Sequence, residues 1–241
     1  MSTAKPPGGL VWFDEPPPPP ATDQLSRERV VAAAIALADE SSSGEITMRA
    51  IASRLGTRSP MALYRYVGSK DGLTDLMVDE VYGEITVPPP GDWRACLRGM
   101  GLSAWAAVQR HPWFARMSFS RPPLGPNALH LYDSAFAAVD ELGLEAAARV
   151  GFINTVLGQV FSSGLALLEE LAMRRRTGLA SDDELADAAR PYLERIKAEG
   201  RYPHYIRWLA EPDPMAEMVT FEQQLEWQLD GLQRLAEERR A

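Results

Sequence analysis

The sequence predicts an all-α protein. Apolar residues recur at three- and four-residue spacing in segment after segment, and no stretch alternates apolar and polar residues as a half-buried strand does. Helix-capping residues and Pro/Gly breakers punctuate the chain between these segments. At 241 residues and 46% hydrophobic content, it is long enough for one or two domains with a buried core.

Residues 1–25 are proline-rich and lack either period, which predicts a disordered arm with its VWFD patch loose. Ser26 suits an N-cap, and Val30, Ala34, Leu37 and Ala38 stripe a first helix to about Glu40. The segment TMRAIASRLGTRSPMALYRYVGSK (47–70) reads as two short helices broken at Gly56. Thr47 caps the first, with Ile51 and Leu55 inward. Ser59 and Pro60 suit the cap and first turn of the second, with Leu63 and Val67 as anchors. Ser69 caps a fourth helix, in which Leu73, Leu76, Met77 and Val81 share a face.

VPPPGD (87–92) is the clearest linker, since three prolines cannot continue a helix. Asp92 caps a helix that reaches His111 and is stopped by Pro112; another follows over about 127–142. Residues 144–176 form a long apolar segment, and Ser181 with Glu184 has capping-box spacing. The last helix spans about 215–239, with Met218, Phe221, Leu225, Leu229, Leu232 and Ala236 on one face.

Composition excludes several classes. One cysteine, Cys96, rules out an internal disulfide framework and a Cys-rich zinc site, so a reducing, cytoplasmic location is expected. The N-terminus has no apolar core of signal-peptide type. Residues 150–168 are uncharged and as long as a spanning helix, yet Asn154, Thr155, Gln159, Ser162 and Ser163 dilute them. They read as the centre of a helical bundle, with no membrane partner. There is no HExxH, GxSxG, glycine-rich phosphate loop or metal-spaced cysteine pair, so no enzyme and no cofactor are expected. His111, His130 and His204 have no metal-site spacing, and no metal is assigned.

Against a net charge of −8, residues 47–70 carry five basic residues and no acid. Salt screens charges beyond about 10 Å, so a polyanion needs only a local positive surface. Double-stranded DNA is therefore the expected partner. Anchoring by Leu63 and Val67 leaves Arg58, Ser59, Met61, Ala62, Tyr64 and Arg65 on or near the exposed side, which is helix-turn-helix geometry.

The combination of TMRAIASRLG, LYRYV and SKDGL after LSRERVVAAAIALAD resembles the tetracycline-repressor (TetR) family over residues 26–84. The resemblance implies that the second short helix enters the major groove. Tyr64 and Lys70 would contact phosphates, Thr47 the DNA backbone, and Arg49 a base edge. Tyr66 stands where members often have histidine, and TRSPMA, between Gly56 and Leu63, is one residue longer than the common spacing. The later pieces HPWFARM (111–117), RPPLGPNAL (121–129), RYPHY (201–205) and FEQQLEWQLDGLQRL (221–235) resemble the C-terminal domain of the same family. They imply that residues 92–241 dimerise and hold a small-molecule pocket.

Trp227 lies off the main stripe of the last helix, and a large aromatic on a second face predicts a second buried contact. Gly158, Leu165, Trp227 and Leu232 are the candidate homodimer contacts. For the pocket, Trp105, Trp113, Phe114, Phe136, Phe152 and Phe161 supply apolar walls, with Asn154, Thr155 and Gln159 as orienting groups. The expected function is a ligand-responsive transcriptional regulator, a repressor released from a palindromic operator by a small-molecule inducer. The alternative is a helical adaptor that binds protein through its basic face.

Overall fold

A computed structural model describes residues 11–13, 25–41, 46–119, 122–210 and 219–239. Among these, the helices are α1 (Arg27–Glu40), α2 (Met48–Arg54), α3 (Pro60–Val67), α4 (Lys70–Tyr82), α5 (Trp93–Arg110) and α6 (Pro112–Ser118). They continue with α7 (Pro126–Asp140), α8 (Ala146–Thr177), α9 (Asp182–Ala198), α10 (Pro203–Leu209) and α11 (Phe221–Glu238), and no strand occurs among the described residues.

The helix starts follow the expected caps. Ser26 Oγ accepts from the Arg29 amide, Thr47 Oγ1 from Ala50 and Ser69 Oγ from Gly72; Asp92 takes the amides of Arg94 and Ala95. Ser181 and Thr220 each make a full capping box. Pro112 does more than stop α5: it occupies the first turn of α6, where a missing N–H costs nothing. His204 lies in the short helix α10. The last helix starts at Phe221, and Met218 lies outside the described residues.

Within the N-terminal arm, residues 1–10 and 14–24 lie outside the described residues, and one turn departs from expectation. Val11–Phe13 forms a 3₁₀ turn whose Val11 is 2% exposed. A Cβ on Gly72 of α4 would sit 3.3 Å from Val11 Cβ, so the glycine leaves the notch that valine fills. Burying valine offsets the entropy of ordering one turn.

Helices α1–α4 pack around Val30, Ala34, Ile51, Leu63, Val67, Leu73 and Met77, all buried. Gly56 (φ +69°) makes the turn out of α2 and Gly68 (φ +70°) ends α3, a region that L side chains reach only with strain. In the second part α8 is the central helix, packed on α5, α6, α7 and α11. It is long and apolar enough to cross a membrane, but Phe152, Ile153, Val156, Leu157, Val160 and Phe161 are buried against its neighbours. Gly164 lets it approach: a Cβ there would meet Val108 Cγ1 at 2.4 Å and Ala115 Cβ at 2.8 Å. Arg94 and Arg98 of α5 pair with Glu226 and Asp230, fixing α11 across the bundle.

Candidate nucleic-acid interface and sensor core

The two short helices α2 and α3 pack together, and the buried Leu63 and Val67 turn the opposite side of α3 outward. Arg58, Ser59, Met61 and Arg65 are exposed, with Met61 at 72%; Ala62 and Tyr64 are half-buried beside them. Ser59 stands at the N-cap of α3 but makes no side-chain capping bond. Thr47, Arg49 and Lys70 are exposed on the adjoining ends of α2 and α4. Tyr66 is half-buried against the core, and its carbonyl accepts from Arg27 Nε at 2.8 Å.

One of the five cations is already committed. Arg54 Nη2 holds both oxygens of Glu40, at 2.6 and 2.8 Å, and so ties α2 to α1. Arg49, Arg58, Arg65 and Lys70 make no ion pair among the described residues. The exposed face of this unit therefore presents four cations that are unpaired among the described residues, which suits a phosphate backbone.

Two polar clamps attach this unit to the rest. Asp79 of α4 is buried, and its carboxylate accepts from the Asn127 amide (3.2 Å) and the Ala128 amide (2.9 Å). It thereby caps α7, whose own N-cap is Gly125 and has no side chain to offer. Burial pushes the Asp79 carboxyl above the usual carboxylate range, and the two amide bonds pull it partly back. In the second clamp, Asp39 of α1 accepts from Trp113 Nε1 (2.6 Å) and lies 2.8 Å from His111 Nδ1. The other ring nitrogen of His111 is 3.2 Å from Glu84, which also holds Arg110. Neither clamp follows from helical spacing alone. The legible signal was Asp79 three residues after Leu76, on the buried side of α4.

The expected pocket residues do not converge on one cavity. Phe114 and Phe161 pack edge to face (5.6 Å between centroids), each also against Tyr82 of α4. Trp113 joins this cluster through Phe114, and Phe119, 61% exposed, extends it to the surface through Phe161. Phe152 instead packs on Trp93, Trp105 stacks on Phe221, and Phe136 pairs with Tyr132 on α7. Asn154 and Thr155 are exposed on the outer face of α8, away from those aromatics. Gln159 is spent on a seam with α11: its amide donates to Gln224 (2.6 Å), and its Oε1 accepts from Gln228 (3.0 Å).

The candidate dimer residues divide likewise. Trp227 is 62% exposed, and Gly158 and Leu165 are half-buried. Leu232 faces the core of its own chain, because it continues the Leu225–Leu229 stripe.

Residues 87–236 match the family described as tetracyclin repressor-like, C-terminal domain. An HTH-type transcriptional repressor of Streptomyces coeruleorubidus, DrrR1, is 36% identical over 219 residues, covering 90% of this chain and 80% of that protein. The tetracycline repressor protein class D of Escherichia coli is 32% identical over 92 residues, 36% of this chain and 42% of that protein. Apo ActR of Streptomyces coelicolor superposes with a TM-score of 0.71 at 25% identity, covering 91% of this chain and 100% of that one. ActR in complex with actinorhodin gives 0.68 at 26%, covering 88% and 98%. With a family match over more than half its length and the helix-turn-helix geometry above, the chain belongs to the tetracycline-repressor family of DNA-binding transcriptional regulators.

Proposed function

We propose that this protein is a homodimeric, cytoplasmic repressor released from a near-palindromic operator by a small-molecule inducer. Residues 26–84 read the DNA, and residues 92–241 dimerise and sense. The observation that carries this reading is the outward side of α2–α4, where Arg49, Arg58, Arg65 and Lys70 stand without ion pairs among the described residues, on a chain of net charge −8. Tyr64, Lys70 and Thr47 hold phosphates, and Arg49 reaches a base edge. Arg58, Ser59, Met61, Ala62 and Arg65 face the major groove, with Tyr66 beside the backbone. The name of the Streptomyces coeruleorubidus relative supports repression.

Dimerisation uses the outer faces of α8 and α11, where Gly158 and Trp227 lie. Two-fold symmetry then sets the reading helices about one DNA turn, roughly 34 Å, apart. The inducer is a small molecule that acts at the Phe114–Phe161 ring cluster, which the exposed Phe119 brings to the surface. Tyr82 sits on α4 in that same cluster, so displaced rings push on the helix that carries Lys70. The ligand acts by favouring dimers with misplaced reading helices, and one with equal affinity for both states has no effect.

Selection of bound duplexes from a random pool, followed against salt, tests the reading. A near-palindromic winner with a steep salt slope is expected. A folded dimer that enriches nothing, with or without actinorhodin as a trial ligand, overturns it.

A further inference from the structure

A cavity of about 460 Å³ lies between reader and sensor, walled by α2, α3 and α4 on one side and by α6 on the other. That volume falls within the roughly 300–1,000 Å³ usual for small-molecule sites. Its floor is apolar, with Ile51 and Leu73 buried and Met48 and Met117 beside them. Its rim carries Tyr64 and two cations, Lys70 and Arg116, and no carboxylate lines it among the described residues. A phosphate alone makes no use of such a floor, and a neutral apolar molecule makes no use of such a rim.

We infer that this cavity binds a small aromatic anion, a carboxylate or phenolate on a flat ring. The ring rests on Ile51 and Leu73, and the anionic group is directed at Lys70 and Arg116. Arg116 already donates from Nη2 to Glu169 of α8, which orients it, but a guanidinium has further N–H groups to offer. Lys70 has no ion pair among the described residues. The site is distinct from the Phe114–Phe161 cluster assigned to the inducer.

Its effect on DNA rests on the operator-binding reading above. Lys70 and Tyr64 hold phosphates in that reading, so an anion in the cavity competes for them directly. It also bridges α4 to α6 and so joins reader to sensor. The protein then has two inputs: one that shifts the helices from within, and one that blocks the phosphate contacts.

The test is a titration of the full chain, isotope-labelled at the methionine methyls, with 2-naphthoate at constant ionic strength. Met48 and Met117 line the cavity, whereas Met77 and Met100 are buried elsewhere and serve as controls. Saturable ring-current shifts are expected at Met48 and Met117 alone. Neutral 2-naphthamide, and 2-naphthoate with an Arg116→Gln variant, should each bind about tenfold more weakly, the loss expected for one charge-assisted hydrogen bond. A Thr74→Trp variant fills the cavity from α4 without removing a charge; it should abolish the response while Met77 and Met100 keep their positions. Shifts confined to other methionines, equal binding of the amide, or unchanged binding by either variant overturns the site. In parallel, 2-naphthoate should raise the apparent Kd for duplex DNA. A protein that binds no duplex even without naphthoate sinks the operator reading, while the methyl shifts still decide the cavity.

Discussion

Lys70 and Tyr64 are read as phosphate contacts, and phosphate carries no sequence. Lys70→Ala and Tyr64→Ala should therefore weaken selected and scrambled duplexes alike, and Lys70→Ala should flatten the salt slope by about 0.9 for the one phosphate lost. Arg49→Ala should instead narrow the gap between the two duplexes by about 1–3 kcal/mol, the worth of one base contact. Fluorescence anisotropy on both duplexes across salt separates these outcomes; a Lys70 variant that changes sequence preference would reassign the residue. Asp79 allows a second test at this scale. Removing its carboxylate in Asp79→Ala strands two amides at the start of α7, at a cost of about 1–3 kcal/mol. Because burial raises its pKa, the folded chain keeps this proton to higher pH than the unfolded chain does. That part of its stability is fully present below the unfolded pKa and is lost as pH rises through the folded one. The stability gap between wild type and Asp79→Ala, from urea unfolding across pH, should be widest in acid and narrow to a plateau. A gap that widens with pH would mean that the amide bonds outweigh burial.

Along α8 the glycines make opposite predictions. Gly164→Ala places a methyl 2.4 Å from Val108 Cγ1, with Ala115 close behind, so it should lose about 1–3 kcal/mol to overpacking. Gly158→Ala meets nothing within 4 Å in the single chain, and helix propensity alone should make it neutral or stabilising by up to about 1 kcal/mol. Thermal unfolding at a concentration where the chain is monomeric orders the two, and a reversed order would contradict the packing described. Such elements were legible because their causes are local: Ser26, Thr47, Ser69, Asp92 and Ser181 cap in structure where they stand in sequence. The reader was legible for the same reason, since Leu63 and Val67 decide which side of a two-turn helix is free. The sensor core was not. Six aromatics announce burial, but which ring meets which depends on how α5, α6, α8 and α11 cross, and no single segment contains that information. Asn154 and Thr155 illustrate it: polar residues on an apolar helix mark its outer face, and they stand exposed there rather than beside the rings they were expected to orient a ligand against.

At the scale of the whole molecule, the outer faces of α8 and α11 require explanation. Gly151 and Gly158 of α8 and Gly231 of α11 have open space where a Cβ would stand, and Trp227, one turn before Gly231, is largely exposed. A tryptophan left in water beside glycines that admit a close neighbour is what half of a packed interface looks like. Trp227→Glu should place a charge in that interface, and Gly158→Arg should block the approach, each converting dimer to monomer in sedimentation equilibrium with helicity unchanged. Operator affinity should then fall steeply. The salt slope should drop to about half, since each bound unit then neutralises half the phosphates. The α9–α10 segment supplies the contrasting outcome. It exposes Tyr192, Tyr202, Tyr205 and Trp208, a second aromatic surface some distance along the chain from Trp227. If both variants stay dimeric, that surface becomes the interface to test, and the outer face of α8 and α11 must be covered by something other than a second copy. If they dissociate while Tyr205→Glu does not, the α8–α11 pair holds the dimer.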